Sequence, residues 1–205
     1  MSKMKEIKKI IVNKPLKLDC GETIINYPIA YETYGKLNEK KDNAILAFHA
    51  LTGDQFLTGI NPVTNKKGWW TYLIGPSKPI DTNKFFVICA NVIGGCMGSF
   101  GPSTVDEKSK KPLGTSFPVI TINDMVNAQY NLLDHFKIKK LFCVIGGSMG
   151  GMQVLQFVSN FPNAAKNAIP IACTANHSAQ NIAFNELARQ SIMADNNWDK
   201  GDYDN

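Results

Sequence analysis

The sequence has no apolar run near the about 18 residues that a membrane-spanning helix needs; its longest are 44–48, 85–90 and 141–145. Its lysine-rich start is followed by no apolar stretch of the secretory-signal kind. No two of the five cysteines (Cys20, Cys89, Cys96, Cys143, Cys173) are spaced as CxxC, and an odd count does not pair off. Three lie within or at the end of apolar runs, where a free thiol acts as a small hydrophobe. The cysteines therefore point to a reducing cytosol, with neither a disulfide framework nor a zinc site. The expected location is cytoplasmic, and no metal or cofactor is expected. The dinucleotide fingerprint is missing too: Gly94-Gly-Cys-Met-Gly-Ser-Phe-Gly101 spaces its glycines as GxxGxxG, not GxGxxG. No GxxxxGK(S/T) occurs, which excludes a P-loop. Asp195-Asn-Asn-Trp-Asp199 begins like a calcium loop, but Lys200 stands where such a loop requires glycine.

What is present fits a globular protein. The 205 residues are 44% hydrophobic and 19% charged, enough apolar material for one domain with an appendage and too much for a disordered chain. The net charge is +5. Much of that excess sits in the first seventeen residues (Lys3, Lys5, Lys8, Lys9, Lys14 and Lys17 against Glu6), as in a solvated tail. Nothing clusters basic residues on a recognition element, so no nucleic-acid partner is expected, and no membrane partner either.

Three short apolar runs bounded by turn residues read as buried parallel strands: 44–49, 85–90 and 141–145. A fourth is expected over 168–173, where Pro170 suits a strand start or an edge. Between the second and third runs, Met125, Ala128, Leu132, Leu133 and Phe136 repeat at helical spacing behind Thr121, a candidate N-cap. A further helix follows Ser148, with Val154, Leu155 and Val158 on one side. Strand, helix, strand, helix, strand is the grammar of a mostly parallel α/β sheet with helices on both faces. Residues 24–34 alternate loosely and are expected to supply an antiparallel edge hairpin. Two stretches, 51–81 and 91–118, fit no element. Loops of that length in a compact domain tend to be functional, and both leave the carboxyl ends of strands, where open α/β sheets bind ligands.

Gly146-Gly-Ser-Met-Gly150 matches GxSxG, preceded by a buried strand and followed by a helix. That is the setting of a nucleophile elbow, which holds a serine on a sharp, strained turn above the sheet. Side chains at Gly146 or Gly150 would collide with the neighbouring strand or helix; Gly147 completes the glycine set. Ser148 is thus the candidate nucleophile, with the backbone N–H of Met149 as one oxyanion donor. The second donor is expected in the loop after the first strand, at Leu51 N–H within His49-Ala-Leu-Thr-Gly53. One such donor is worth ~3–4 kcal/mol in the transition state.

In this arrangement the acid and the base follow the serine in the order Asp or Glu, then His. After Ser148 there is one histidine, His177, and Glu186, Asp195, Asp199, Asp202 and Asp204 all follow it. That order is wrong for a triad. His177 reads as an assisting group or as a surface histidine opening the next helix, while His49 and His135 read as structural. In a well-studied serine protease, loss of the histidine alone costs roughly 10⁶ in turnover. The chain is therefore expected to be the N-terminal part of a longer enzyme, with the sheet's last strands missing.

Several ordered segments together resemble one family, the homoserine O-acetyltransferases of the α/β-hydrolase superfamily. They include His49-Ala-Leu-Thr-Gly-Asp54, Asn61-Pro-Val-Thr64, Gly68-Trp-Trp70, Ile74-Gly-Pro76, Pro79-Ile-Asp-Thr82 and Gly94-Gly-Cys96. Further on come Phe117-Pro-Val-Ile-Thr121, Asp124-Met-Val126, Val144-Ile-Gly-Gly-Ser-Met-Gly-Gly-Met-Gln153 and the segment 195–203. The resemblance implies acyl transfer from acetyl-CoA, as co-substrate, to the side-chain hydroxyl of L-homoserine by a ping-pong route in methionine synthesis. It implies Ser148 as the acylated nucleophile, Leu51 and Met149 as oxyanion donors, an α/β-hydrolase core over 1–176, and the start of a helical lid over 177–205. It also implies a homodimer in the complete protein. The family's aspartate, histidine and substrate-binding arginine have no counterpart here, and Arg189, the lone arginine, is not given that role.

Three positions depart from the family pattern. Ser77 stands where glycine is expected, Phe100 where threonine is expected, and Asn123 where arginine is expected. Phe100 leaves acetyl against succinyl transfer open. A serine esterase or thioesterase on the same fold, and a non-catalytic remnant serving as a binding or dimerisation module, are the alternatives. A transferase must also keep water from the acyl-serine, a task for Trp69, Trp70 and Phe100 if the long loops carry them over the strand ends.

Overall fold

A computed structural model describes residues 7–201. Lys3, Lys5 and Glu6 of the basic start, and Asp202 and Asp204 of the acidic end, lie outside the described residues. In chain order the elements are β1 (Lys9–Val12), β2 (Leu16–Lys17), β3 (Thr23–Ile24), β4 (Tyr27–Tyr34), β5 (Ala44–Phe48), β6 (Ile74–Gly75), β7 (Ile80–Asp81), β8 (Phe86–Ala90), α1 (Ile122–Phe136), β9 (Leu141–Gly147), α2 (Met149–Asn160), β10 (Ala165–Ile171) and α3 (Ala179–Met193). Six strands form one sheet in the order β1-β4-β8-β5-β9-β10. The four strands from β8 to β10 are parallel, with Ile45 opposite both Val87 and Cys143. β5 and β8 are buried at every residue, which is why both read as unbroken apolar runs.

Alternate residues of these strands serve two cores. Leu46, Phe48, Ile88, Ala90 and Val144 pack against Val126, Leu132 and Leu133 of α1 and Val154 and Phe157 of α2. Ile45, Ala47, Val87, Cys89 and Ile145 face the other way, under Leu57, Ile74, Trp69 and Trp70. Among the described residues, then, both packed helices lie on one face, and not on both faces as expected. The other face is covered by the segment 51–81, which carries β6 and β7 where no element was expected. The tryptophans are committed to that face, their rings 4.6 Å apart. Phe100 joins the helix-side core, 5.0 Å from Phe117.

α1 begins where expected. Thr121 accepts from Asp124 N–H, and the Asp124 carboxylate accepts from Thr121 N–H at 2.9 Å, a reciprocal cap worth about 1 kcal/mol. Two further expectations need correction. Residues 24–34 do not make an edge hairpin: β4 lies inside the sheet, antiparallel to both β1 and β8, while β3 pairs with β2. β1, with only four residues, was too short to stand out as the true edge. The fourth strand runs Ala165–Ile171, not 168–173, because its register against β9 pairs Ala165 with Leu141 and ends at Ile171. Ala172 then turns the chain with φ of 46°. Pro170 sits on β10, which among the described residues is the last strand of the sheet.

Candidate active site

Ser148 occupies the corner between β9 and α2, with φ 56° and ψ −123°. A positive φ at a non-glycine residue costs roughly 1–3 kcal/mol and persists only where the surroundings impose it. Here both flanks do. Ser148 N–H donates to Ile171 O at 3.0 Å, and Ser148 O accepts from Met152 N–H at 3.1 Å, so β10 and α2 clamp the turn. The serine is exposed, and its Oγ caps no helix N–H.

The glycines make the corner possible by different amounts. A Cβ on Gly146 would lie 2.4 Å from Gly150 O, and one on Gly150 would lie 2.2 Å from Phe48 O. The first turn of α2 therefore crosses the end of β5 backbone against backbone. Gly147 is different: a Cβ there would meet only Ile171 O, at 4.0 Å.

The loop after β5 is built on a buried imidazole. His49 Nε2 accepts from Val92 N–H at 3.1 Å, so the proton sits on Nδ1, which donates to Ala50 O at 2.7 Å. Burial holds this histidine below its ordinary pKa and keeps it neutral. Ala50 O also accepts from Gly53 N–H at 2.9 Å. All peptides here are trans, so fixing the Ala50 carbonyl aims Leu51 N–H the opposite way. Among the described residues Leu51 N–H has no hydrogen-bond partner. Met149 N–H, first in α2, is one of the helix's unpaired N-terminal donors. The loop holding Leu51 is tied further by Asp54, whose carboxylate accepts from Phe56 N–H at 2.8 Å and Asn61 Nδ2 at 2.7 Å. Gln55 Nε2 donates across to Met97 O at 3.0 Å, joining the two long loops.

Of the histidines, His49 is structural, as expected. His135 lies on α1 with its ring 6.0 Å from that of Tyr31. His177 is exposed in the turn before α3. None hydrogen-bonds to Ser148. Arg189 pairs with Glu186 on α3, three residues away. No group of three or more His, Cys, Asp or Glu residues suited to a metal occurs among the described residues, and none of their helices is long and apolar enough to cross a membrane.

Sequence reasoning missed a pair of buried glutamines. Gln153, fully buried one turn into α2, donates from Nε2 to His49 O at 3.3 Å and to Met149 O at 3.5 Å. Its Oε1 accepts from Gln129 Nε2 at 2.7 Å. The signal was available: Gln129 falls at a core-facing position of α1, four residues after Met125.

Residues 43–203 match the model of a family described as having the alpha/beta hydrolase fold. The chain is 74% identical over 199 residues to the homoserine O-acetyltransferase of Pelagibacter ubique, covering 97% of this chain and 54% of that protein. It is 59% identical to the homoserine O-acetyltransferase of Mesorhizobium japonicum, over 93% of this chain and 49% of that one. The chain thus spans about half the length of the curated relatives it matches. Among solved structures it superposes on a homoserine O-acetyltransferase from Bacillus anthracis with a TM-score of 0.84 at 31% identity, covering 97% of this chain and 55% of that one. Esterase E22 gives a TM-score of 0.86 at 32% identity, covering 97% and 56%.

Proposed function

Since the chain belongs to the α/β-hydrolase fold family, we propose that it carries the nucleophilic half of an acyltransferase that moves an acetyl group from acetyl-CoA to the side-chain hydroxyl of L-homoserine, a step of methionine synthesis. The observation that carries this reading is an exposed serine held at a strained corner between β9 and α2. The 74% identity to a homoserine O-acetyltransferase supports the choice of substrates.

Ser148 Oγ attacks the thioester carbonyl carbon; the C–O bond forms as the carbonyl π pair moves onto oxygen. Leu51 and Met149 N–H groups meet that developing charge, which fixed donors stabilise without reorganising at the moment of reaction. Collapse of the tetrahedral centre breaks the C–S bond and expels CoA, whose sulfur receives the proton taken from Oγ. The homoserine hydroxyl then attacks the acyl-serine, and its proton returns to Ser148. The general base and its acidic partner have no counterpart bonded to Ser148 here; a protein of the relatives' length has as many residues again in which to carry them. A cytoplasmic homodimer is part of the same proposal.

The test is thiol release from acetyl-CoA by the whole protein. Release that depends on homoserine is expected; release at the same rate without it overturns transfer in favour of hydrolysis. That second reading, an esterase or thioesterase, is favoured by one observation, the equally close superposition on esterase E22. Succinyl-CoA run in parallel separates acetyl from succinyl transfer. A protein in which Ser148 never becomes acylated, by intact mass, is a binding module.

A further inference from the structure

We infer that Gln153 is the positioning residue that sets the spacing between the two oxyanion donors, an inference that rests on the acyl-serine reading above. The donors come from different elements: Leu51 N–H from the loop after β5, Met149 N–H from the start of α2. Nothing covalent near the site joins these elements. Gly146 and Gly150 remove side chains so that α2 can approach the end of β5, but an absence of atoms permits closeness without fixing it.

Gln153 supplies the fixed link. One amide nitrogen donates both to His49 O, at the root of the Leu51 loop, and to Met149 O, in the elbow itself. The amide's oxygen is held by Gln129 Nε2 from α1, so the strut cannot swing away. His49 is in turn the residue whose ring holds Ala50 O and so aims Leu51 N–H. The link comes at a cost in stability. Gln129 is 1% exposed and its Oε1 has no partner, and a buried acceptor left unpaired costs about 1–3 kcal/mol. Two leucines would pack the same seam between α1 and α2 without that penalty, and would leave the two carbonyls without their common donor.

Removing the strut lets the donors drift relative to each other. Misplacement on the scale of 1 Å costs about a hundredfold in rate. Because the oxyanion exists only in the transition state, the loss falls on kcat and not on KM.

The test uses Gln153→Met and Gln129→Met in the whole protein, with acetyl-CoA plus homoserine as substrates. A second pair of probes, p-nitrophenyl acetate and its thionoacetate analogue, reports the oxyanion site directly, because sulfur accepts hydrogen bonds poorly. For Gln153→Met, kcat is expected to fall by about tenfold to a hundredfold with KM held within about twofold. The oxo-to-thiono rate ratio should fall with it, and Gln129→Met should show the same change in smaller measure. A packing role alone would lower the fraction of folded enzyme and leave the ratio untouched. An unchanged ratio in either folded variant overturns the inference. If the unaltered protein never acylates Ser148, the acyl-serine reading itself fails, and the inference falls with it.

Discussion

His49 Nε2 accepts the backbone N–H of Val92 at 3.1 Å, and through this contact one buried imidazole ties the loop after β5 to the loop after β8. Asn91 Nδ2 lies 3.3 Å from the same nitrogen. With Nδ1 donating to Ala50 O, every ring position is used by the neutral form, and a second ring proton would point at a donor.

This predicts a stability loss on mild acidification. The folded pKa of His49 lies below its ordinary value of 6.5, so above that pH both folded and unfolded chains are neutral and the full contribution is present. Below it the unfolded chain binds the proton first, and stability falls by up to about 1.4 kcal/mol per pH unit until the folded ring titrates. Thermal melts between pH 8 and pH 5 measure this. His49→Leu should be less stable at pH 8 by about 1–3 kcal/mol, from the orphaned Val92 N–H, and should lack this part of the pH slope.

The elbow glycines should separate cleanly. Gly150→Ala places a methyl 2.2 Å from Phe48 O and Gly146→Ala places one 2.4 Å from Gly150 O, so each should destabilise by about 3 kcal/mol or more. Gly147→Ala has open space and should stay within about 0.5 kcal/mol of the parent. Denaturant unfolding of the three variants checks the order; equal losses at all three positions would refute the backbone contacts described here.

Strain at Ser148 predicts opposite results for two inactivating changes. Ser148→Gly relieves the positive φ and, after the extra entropy of an unfolded glycine, should raise Tm by about 2–4 °C. Ser148→Ala keeps the strain and should leave Tm nearly unchanged. Neither should form an acyl-enzyme, which intact-mass measurement after acetyl-CoA treatment reads directly.

The cysteines should fall into distinct classes. Cys20 and Cys96 are exposed and should react with an aromatic disulfide within mixing time. Burial pushes the Cys143 thiol up to about 11 and the Cys89 thiol well above its ordinary value, so both should wait for denaturant. Counting thiols released before and after guanidinium addition checks this.

Much of the site was legible because its signals are local. A serine between glycines, after an apolar run and before a helix, has few backbone solutions, and Ser148 takes one of them. The N-cap at Thr121 was equally plain, and the structure completes it with Asp124, three residues on, as a capping box. The β4 misreading came from the opposite situation. Whether an alternating strand lies at an edge depends on a partner far away, and β1 offers only four residues. Pro170 suits a strand start or an edge by residue type, but the bounds of β10 follow from its register against β9, which belongs to the pair.

The sequence by itself determined the parallel strands, the two packed helices and the corner at Ser148, because burial on both faces and tight turns restrict residue type at each position. Tertiary structure alone decided that Trp69 and Trp70 cover a sheet face, that His49 joins two loops, and that Gln129 and Gln153 meet beneath the corner. Each of those contacts links residues at least about twenty positions apart in the chain or on separate elements, and such pairs leave no periodic trace; only the packed backbone brings their polar atoms within bonding distance.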